Sequence, residues 1–249
     1  MRVIAPAVTA CFVAANLAAI SPDQLPTRSA TAGMWLMRPI DPQTGEIYGR
    51  MPGAFVRAAR AKLDGLADMA MFGMAVQALR VTALSDDRRA VSVSEMTPGA
   101  LALVGVLPII GRDFNSEDLR RGAVIVTYRV WEGFLGARVE ALGTPLWREK
   151  GAGQAREPVV IVGVLPRDFS IRVPVADPGA EAFIPSPVFT STDANDGSFA
   201  PLVRLRPGVT IAAARTAVEA AVEAARKQIP EASKLSARLD PADRPGWMK

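Results

Sequence analysis

The most constraining feature of this chain is an ordered series of four segments, each an apolar run closed by a glycine or proline turn. Residues 97–114 read TPGALALVGVLPIIGRDF and residues 123–136 read AVIVTYRVWEGFLG. Residues 159–169 read VVIVGVLPRDF, and residues 202–210 read LVRLRPGVT, followed by an Ala-rich helical stretch. The short apolar runs suit strands covered on both faces, and the turns between them fit glycine and proline geometry. Strands and helices alternate irregularly, with hairpins between. That pattern argues for α+β architecture and against a doubly wound parallel sheet.

Along the rest of the chain the periodicity changes several times. Pro52 stands where a helix would begin. Phe55, Ala58, Ala59, Leu63 and Leu66 then recur at helical spacing, with Arg57, Arg60 and Lys62 at other positions. Residues 79–84 and 89–94 each alternate around the polar turn 85–88, which predicts a hairpin. A short helix is expected over 98–104. Val130, Trp131, Phe134 and Leu135 predict another, stopping at Gly136, with Trp131 in the core. Residues 151–156 read as a long flexible glycine turn. Residues 159–164 and 202–206 read as strands, the latter with Leu202 and Leu205 inward. Thr210 is a good N-cap for the last helix, whose apolar stripe is Ala214, Val218, Ala221, Ala225 and Ile229. Arg215/Glu219 and Glu223/Lys227 are spaced as i,i+4 pairs on its exposed side.

Residues 3–20 are almost wholly apolar, broken by Pro6, Thr9 and Asn16. A short transmembrane helix, a signal peptide behind Arg2 and an interfacial helix all fit such a run. Residues 21–53 are rich in Pro, Thr, Ser and Gly and read as a connector around the apolar patch of Met34, Trp35, Leu36 and Met37. The expected divisions are a hydrophobic anchor, signal or partial transmembrane helix at 1–22 and a linker at 23–51. A core domain at 52–232 and a frayed polar tail at 233–249 follow.

Composition limits the chemistry. The chain of 249 residues contains no histidine and one cysteine, Cys11, which has no partner for an internal disulfide. A Ser-His-Asp triad within this chain and a Cys/His zinc site are thereby excluded. The formal charge of +4 is mild and scattered, giving no nucleic-acid stripe. Neither a dinucleotide-binding glycine motif nor a phosphate-binding loop occurs. The paired carboxylates Asp86/Asp87 and Glu117/Asp118 read as solvated turn residues, and Lys62, Lys150, Lys227, Lys234 and Lys249 lie in polar contexts. No catalytic residue, cofactor site or metal site is assigned. Met69, Met71 and Met74 form the one adaptable apolar cluster. They are expected either as filler between the first helix and first strand, or as a contact for a partner or substrate.

The ordered series resembles the periplasmic core domain of MacB-like ABC transporter permeases, in particular the often duplicated orphan-permease branch. Residues 181–185 (EAFIP) resemble that family's aspartate–hydrophobic–tryptophan–isoleucine/valine–proline strand, with Phe183 in place of the tryptophan. The resemblance implies a two-lobed mixed-sheet domain, a βαβ-type lobe with a smaller inserted one. It also implies a non-catalytic extracytoplasmic role in ABC-type export or mechanotransmission, at the inner membrane with its bulk on the periplasmic side. The implied partners are permease transmembrane helices and a separate ATPase, with a possible homodimer and no nucleic acid. Further transmembrane helices expected of a permease do not follow Lys249, so the chain is expected to be a fragment or truncated form. Two other readings remain open. One is a secreted binding protein for a small molecule or peptide, with a closed pocket lined by Met69, Met74 and Trp131. The other is a carboxylate-dependent hydrolase, which needs two or more of Asp86, Asp87, Glu117 and Asp118 to converge in one cleft.

Overall fold

The computed structural model describes residues 33–47, 51–80, 90–149, 156–169, 180–193, 199–229 and 234–242. The apolar segment at 1–22, Cys11, the Asp86/Asp87 turn, Lys150 and Lys249 lie outside them.

Two helix–strand units interlock to build the first lobe. Strand β1 (Trp35–Ile40) leads through helix α1 (Gly53–Leu63) to β2 (Ala67–Arg80). Near the other end of the chain, β9 (Phe199–Leu205) leads through α5 (Ile211–Arg226) to β10 (Ser236–Pro241). The strand order is β10-β1-β9-β2, so each unit's two strands are separated by one strand of the other. This is a double split β-α-β arrangement. Helices α1 and α5 lie side by side over one face. Ala54, Ala59, Ala214, Ala221 and Ala225 are all buried there, small enough to let the helix backbones approach. Phe55, Leu63 and Val218 fill the space between helices and sheet. Thr210 caps α5 as expected: its Oγ1 accepts the Ala213 N–H at 3.2 Å.

The remaining elements are inserted between β2 and β9. They are β3 (Ala90–Met96), α2 (Ala100–Val104), β4 (Ile110–Gly111), α3 (Asp118–Arg121) and β5 (Ala123–Val126). Then come α4 (Tyr128–Leu135), β6 (Pro145–Glu149), β7 (Arg156–Val164) and β8 (Ala182–Pro185). Fourteen-residue β2 runs through both lobes: its first half pairs with β9, its second with β3 and β6. The described strands thus form one ten-stranded mixed sheet, continuing as β3-β8-β5-β7-β4, with β6 bridging β2 and β7. β5 is buried at every residue, between β8 and β7, as its unbroken apolar run implies. α4 stops at Gly136, which takes the left-handed conformation at φ 63°.

Three sequence expectations are corrected. The connector at 23–51 contains β1, which lies within the sheet between β10 and β9. Leu36 faces one core and Met37 the other, so a strand covered on both sides shows no alternation. The polar tail at 233–249 contains β10, paired with β1 along its length although only Leu239 of its six residues is buried. An edge strand supported by a neighbour's backbone needs little apolar sequence of its own. Finally, Leu202 and Leu205 do not share a face: Leu202 enters the α2-side core and Leu205 packs on the α1-side core.

Candidate functional site

The methionine cluster lies within β2 itself, not between the first helix and first strand. The turn 64–66 after α1 is so short that β2 already begins at Ala67. Met71 is fully buried beneath α1 and α5. Met69 is half-buried on the same face and lines an open groove of about 430 Å³. Met74 stands farther along the strand, opposite Ser94 of β3. The structure therefore splits the cluster: Met71 is core, and Met69 reaches a surface.

The groove follows from the way β3 ends. β3 pairs with β2 from Phe72 onward, with Phe72 opposite Met96. Beyond it, Thr97 closes the ladder: its N–H donates to the Met71 carbonyl at 3.1 Å, and its Oγ1 accepts the Met71 N–H at 3.1 Å. Pro98 and Gly99 then turn the chain away into α2. The first half of β2 is left without a neighbour on that side. On its other side the register with β9 runs from Ala67–Leu205 to Gly73–Phe199. The Arg206 N–H donates to the Leu66 carbonyl at 3.0 Å. Backbone direction alternates along a strand. Leu66, Asp68 and Ala70 therefore address β9, whereas Ala67 and Met69 address the groove.

Two walls flank this edge. Arg60 and Asp64 come from α1; Pro98, Gly99, Ala102 and Leu103 come from the α2 side; Arg204 and Arg206 reach in from β9. Arg206 donates through Nε and Nη2 to Asp68 Oδ1, at 3.3 and 3.1 Å. Both side chains are about half-exposed, so the pair is screened and contributes at most about 1 kcal/mol. Arg60 stacks over Phe189, 3.9 Å from the ring centroid. Arg204 stands directly opposite Asp68 in register, on the α2 face.

Of the candidate carboxylates, Glu117 and Asp118 lie among the described residues, and they form no acid–base pair with each other. Asp118 is 2% exposed, not the solvated turn residue its polar surroundings suggested. Its two oxygens accept Arg112 Nη1 and Nη2 at 2.6 and 2.9 Å, and Oδ2 also accepts the Asn115 N–H at 2.8 Å. The Arg112 hydrogen bond holds the Asp118 carboxyl below the ordinary carboxylate range. Glu117 pairs outward with Arg121 at 3.2 Å. Among the described residues no group of His, Cys, Asp and Glu is placed to hold a metal. Trp131 is half-buried against the core of the second lobe, its Nε1 donating to the Arg138 carbonyl at 2.8 Å. It belongs to a different cluster from Met69, so the two do not line one pocket.

No groove residue was singled out in the sequence except Met69. An open edge arises from where β3 stops, and that is a property of pairing, not of any local motif.

The sequence matches the family described as MacB-like periplasmic core domain over residues 7–221. The chain belongs to that family. Solved structures show the MacB-like fold at low identity. A domain of a Porphyromonas gingivalis permease protein shares 18% identity at TM-score 0.59, covering 86% of this chain and 93% of that one. The extracellular domain of the noncanonic ABC-type transporter YknZ from Gram-positive bacteria shares 16% at TM-score 0.54, covering 82% and 99%. The periplasmic region of MacB from Actinobacillus actinomycetemcomitans shares 10% at TM-score 0.56, covering 86% and 90%. No curated protein matches the sequence. Among the described residues of this MacB-like domain, no helix is long and apolar enough to cross a membrane.

Proposed function

We propose that this chain serves as a non-catalytic, extracytoplasmic module of an ABC-type export or mechanotransmission permease. The observation that carries the reading is the family match over residues 7–221, on a body whose two lobes share one sheet. A continuous sheet is a stiff element. In this reading displacement applied at one lobe is passed to the other along β2, whose register with β3 shifts between Met74 and Ala78. In this reading residues 1–22 hold the chain at the inner membrane and the folded body projects to the periplasmic side. The moving parts are permease transmembrane helices, driven by an ATPase on a separate subunit or domain, and two such permeases work together.

The groove beside Met69 is open and charged, which suits contact with another polypeptide better than enclosure of a small apolar ligand. The secreted binding-protein reading is second, because the family match is to a permease domain. The test is a pair of fusions after Lys249. Alkaline phosphatase, which folds only outside the cytoplasm, is expected to be active. Green fluorescent protein, which matures only inside, is expected to be dark. The reverse pattern would overturn the proposal.

A further inference from the structure

The free edge of β2 has a definite chemistry. Ala67 and Met69 turn both their N–H and C=O groups toward the groove, since their neighbours Leu66, Asp68 and Ala70 address β9. No hydrogen bond among the described residues takes up these four groups. They recur every two residues, about 7 Å apart, which is the repeat at which an added strand offers its own donors and acceptors. Unpaired edges of this kind are templates for strand addition unless they are blocked. Here the turn at Pro98–Gly99 closes one end of the edge but leaves Ala67 and Met69 open.

The two faces beside the edge differ. Odd-numbered residues of β2 face α1, where Met69 is the apolar lining, Arg60 stacks over Phe189 and Asp64 follows the end of the helix. Even-numbered residues face α2, where Arg204 and Arg206 meet Asp68 alone. Asp68 is engaged by Arg206, and no carboxylate among the described residues lies within salt-bridge distance of Arg204. A strand laid along this edge would place alternate side chains on these two faces. Apolar side chains would meet Met69 on one face; on the other, acidic ones would lie beside Asp68, which Arg206 already engages, and reach across it to Arg204 one strand farther on.

We propose that the free edge of β2 takes an extended peptide segment of alternating acidic and apolar residues as an added strand, its carboxylates directed to Arg204 and its apolar side chains to Met69. This deepens the reading of the Met69 groove as a polypeptide contact of the permease module and rests on it.

The test uses the full chain in mild detergent and a fluorescein-labelled, capped heptapeptide of alternating Glu and Val, followed by anisotropy. Saturable binding is expected at micromolar to millimolar peptide. Replacing every Glu by Lys is expected to abolish it. Arg204→Ala, at an exposed position where an unchanged melting curve is expected, should weaken binding roughly threefold to tenfold.

Backbone pairing is read separately, by N-methylating either all the Val or all the Glu amides. Only one set faces β2 in an added strand. One methylated peptide is expected to lose about tenfold in affinity and the other to keep it. No binding by the Glu/Val peptide, equal binding by the Lys peptide, or equal affinities of the two methylated peptides would each overturn the proposal. Any of these results would leave the membrane-side assignment standing, because the fusion reporters test it independently.

Discussion

Arg112 and Asp118 meet through two parallel hydrogen bonds, Nη1 to Oδ2 and Nη2 to Oδ1, across the turn that joins β4 to α3. The carboxylate is buried while the guanidinium is half-exposed. A third donor, the Asn115 N–H, completes its coordination. The pair therefore fixes the 112–118 turn and leaves Asp118 no freedom for acid–base work.

The pair also sets an acid dependence. The Asp118 carboxyl titrates below the usual range in the folded state, chiefly because Arg112 bonds its charged form. Its contribution is present above the unfolded carboxylate value of about 3.9 and is lost as pH falls through the lower folded value. Asp118→Asn is expected to cost about 1–3 kcal/mol at neutral pH. That cost should shrink as pH falls from the unfolded carboxylate value through the lower folded one, where the wild-type group also becomes neutral. Urea unfolding of both proteins from pH 7 to pH 2 checks the sign. A cost independent of pH would refute it.

Asp113 runs the other way. Burial pushes its carboxyl up, against hydrogen bonds from the Phe114 and Ala102 N–H groups. Its stabilising part is present below the unfolded value and lost as pH rises through the folded one. Subtracting an Asp113→Asn curve from the wild-type curve should therefore give a slope opposite to that for Asp118→Asn.

Two glycines should respond in opposite directions. A Cβ at Gly163 would lie 2.5 Å from the Arg112 carbonyl, because β4 crosses β7 backbone to backbone there. Gly163→Ala is expected to destabilise by about 1–3 kcal/mol, since the edge of the sheet must part to admit it. Gly133, inside α4, has open space around its Cβ position. Gly133→Ala should stabilise by about 0.5–1 kcal/mol through helix propensity alone. Thermal melts of the two variants decide the matter.

Phe183 is buried and packs edge-on against Phe169, with centroids 5.8 Å apart. Phe183→Ala is expected to cost about 3–5 kcal/mol. Phe183→Trp adds volume to a filled core, so it should cost about 1–3 kcal/mol. A stabilising tryptophan would show that the site holds unused space.

These relationships differ in how far they could be read from the sequence. Helices α1, α4 and α5 were legible because each carries one apolar stripe, with Gly136 and Thr210 marking two of their ends. β5 was legible from four consecutive apolar residues. β1 and β10 were not. Covering both faces of β1 erases alternation, and β10 draws its stability from pairing with β1 more than from its own side chains. The same physics hid the groove. Met69 and Met71 are two residues apart on one face, yet one is sealed under α5 and the other is open because β3 stops at Met96. Asp118 reads as a solvated turn residue because its partner Arg112 looks like any exposed turn residue until the turn closes.

In the proposed function the folded body stands outside the cytoplasmic membrane as a permease module. The most direct measurement is protease accessibility of the full chain in intact spheroplasts, followed by antibody to the folded body. Digestion in intact spheroplasts, with a cytoplasmic marker protected, is the expected result. Protection until the spheroplasts are lysed would contradict the account.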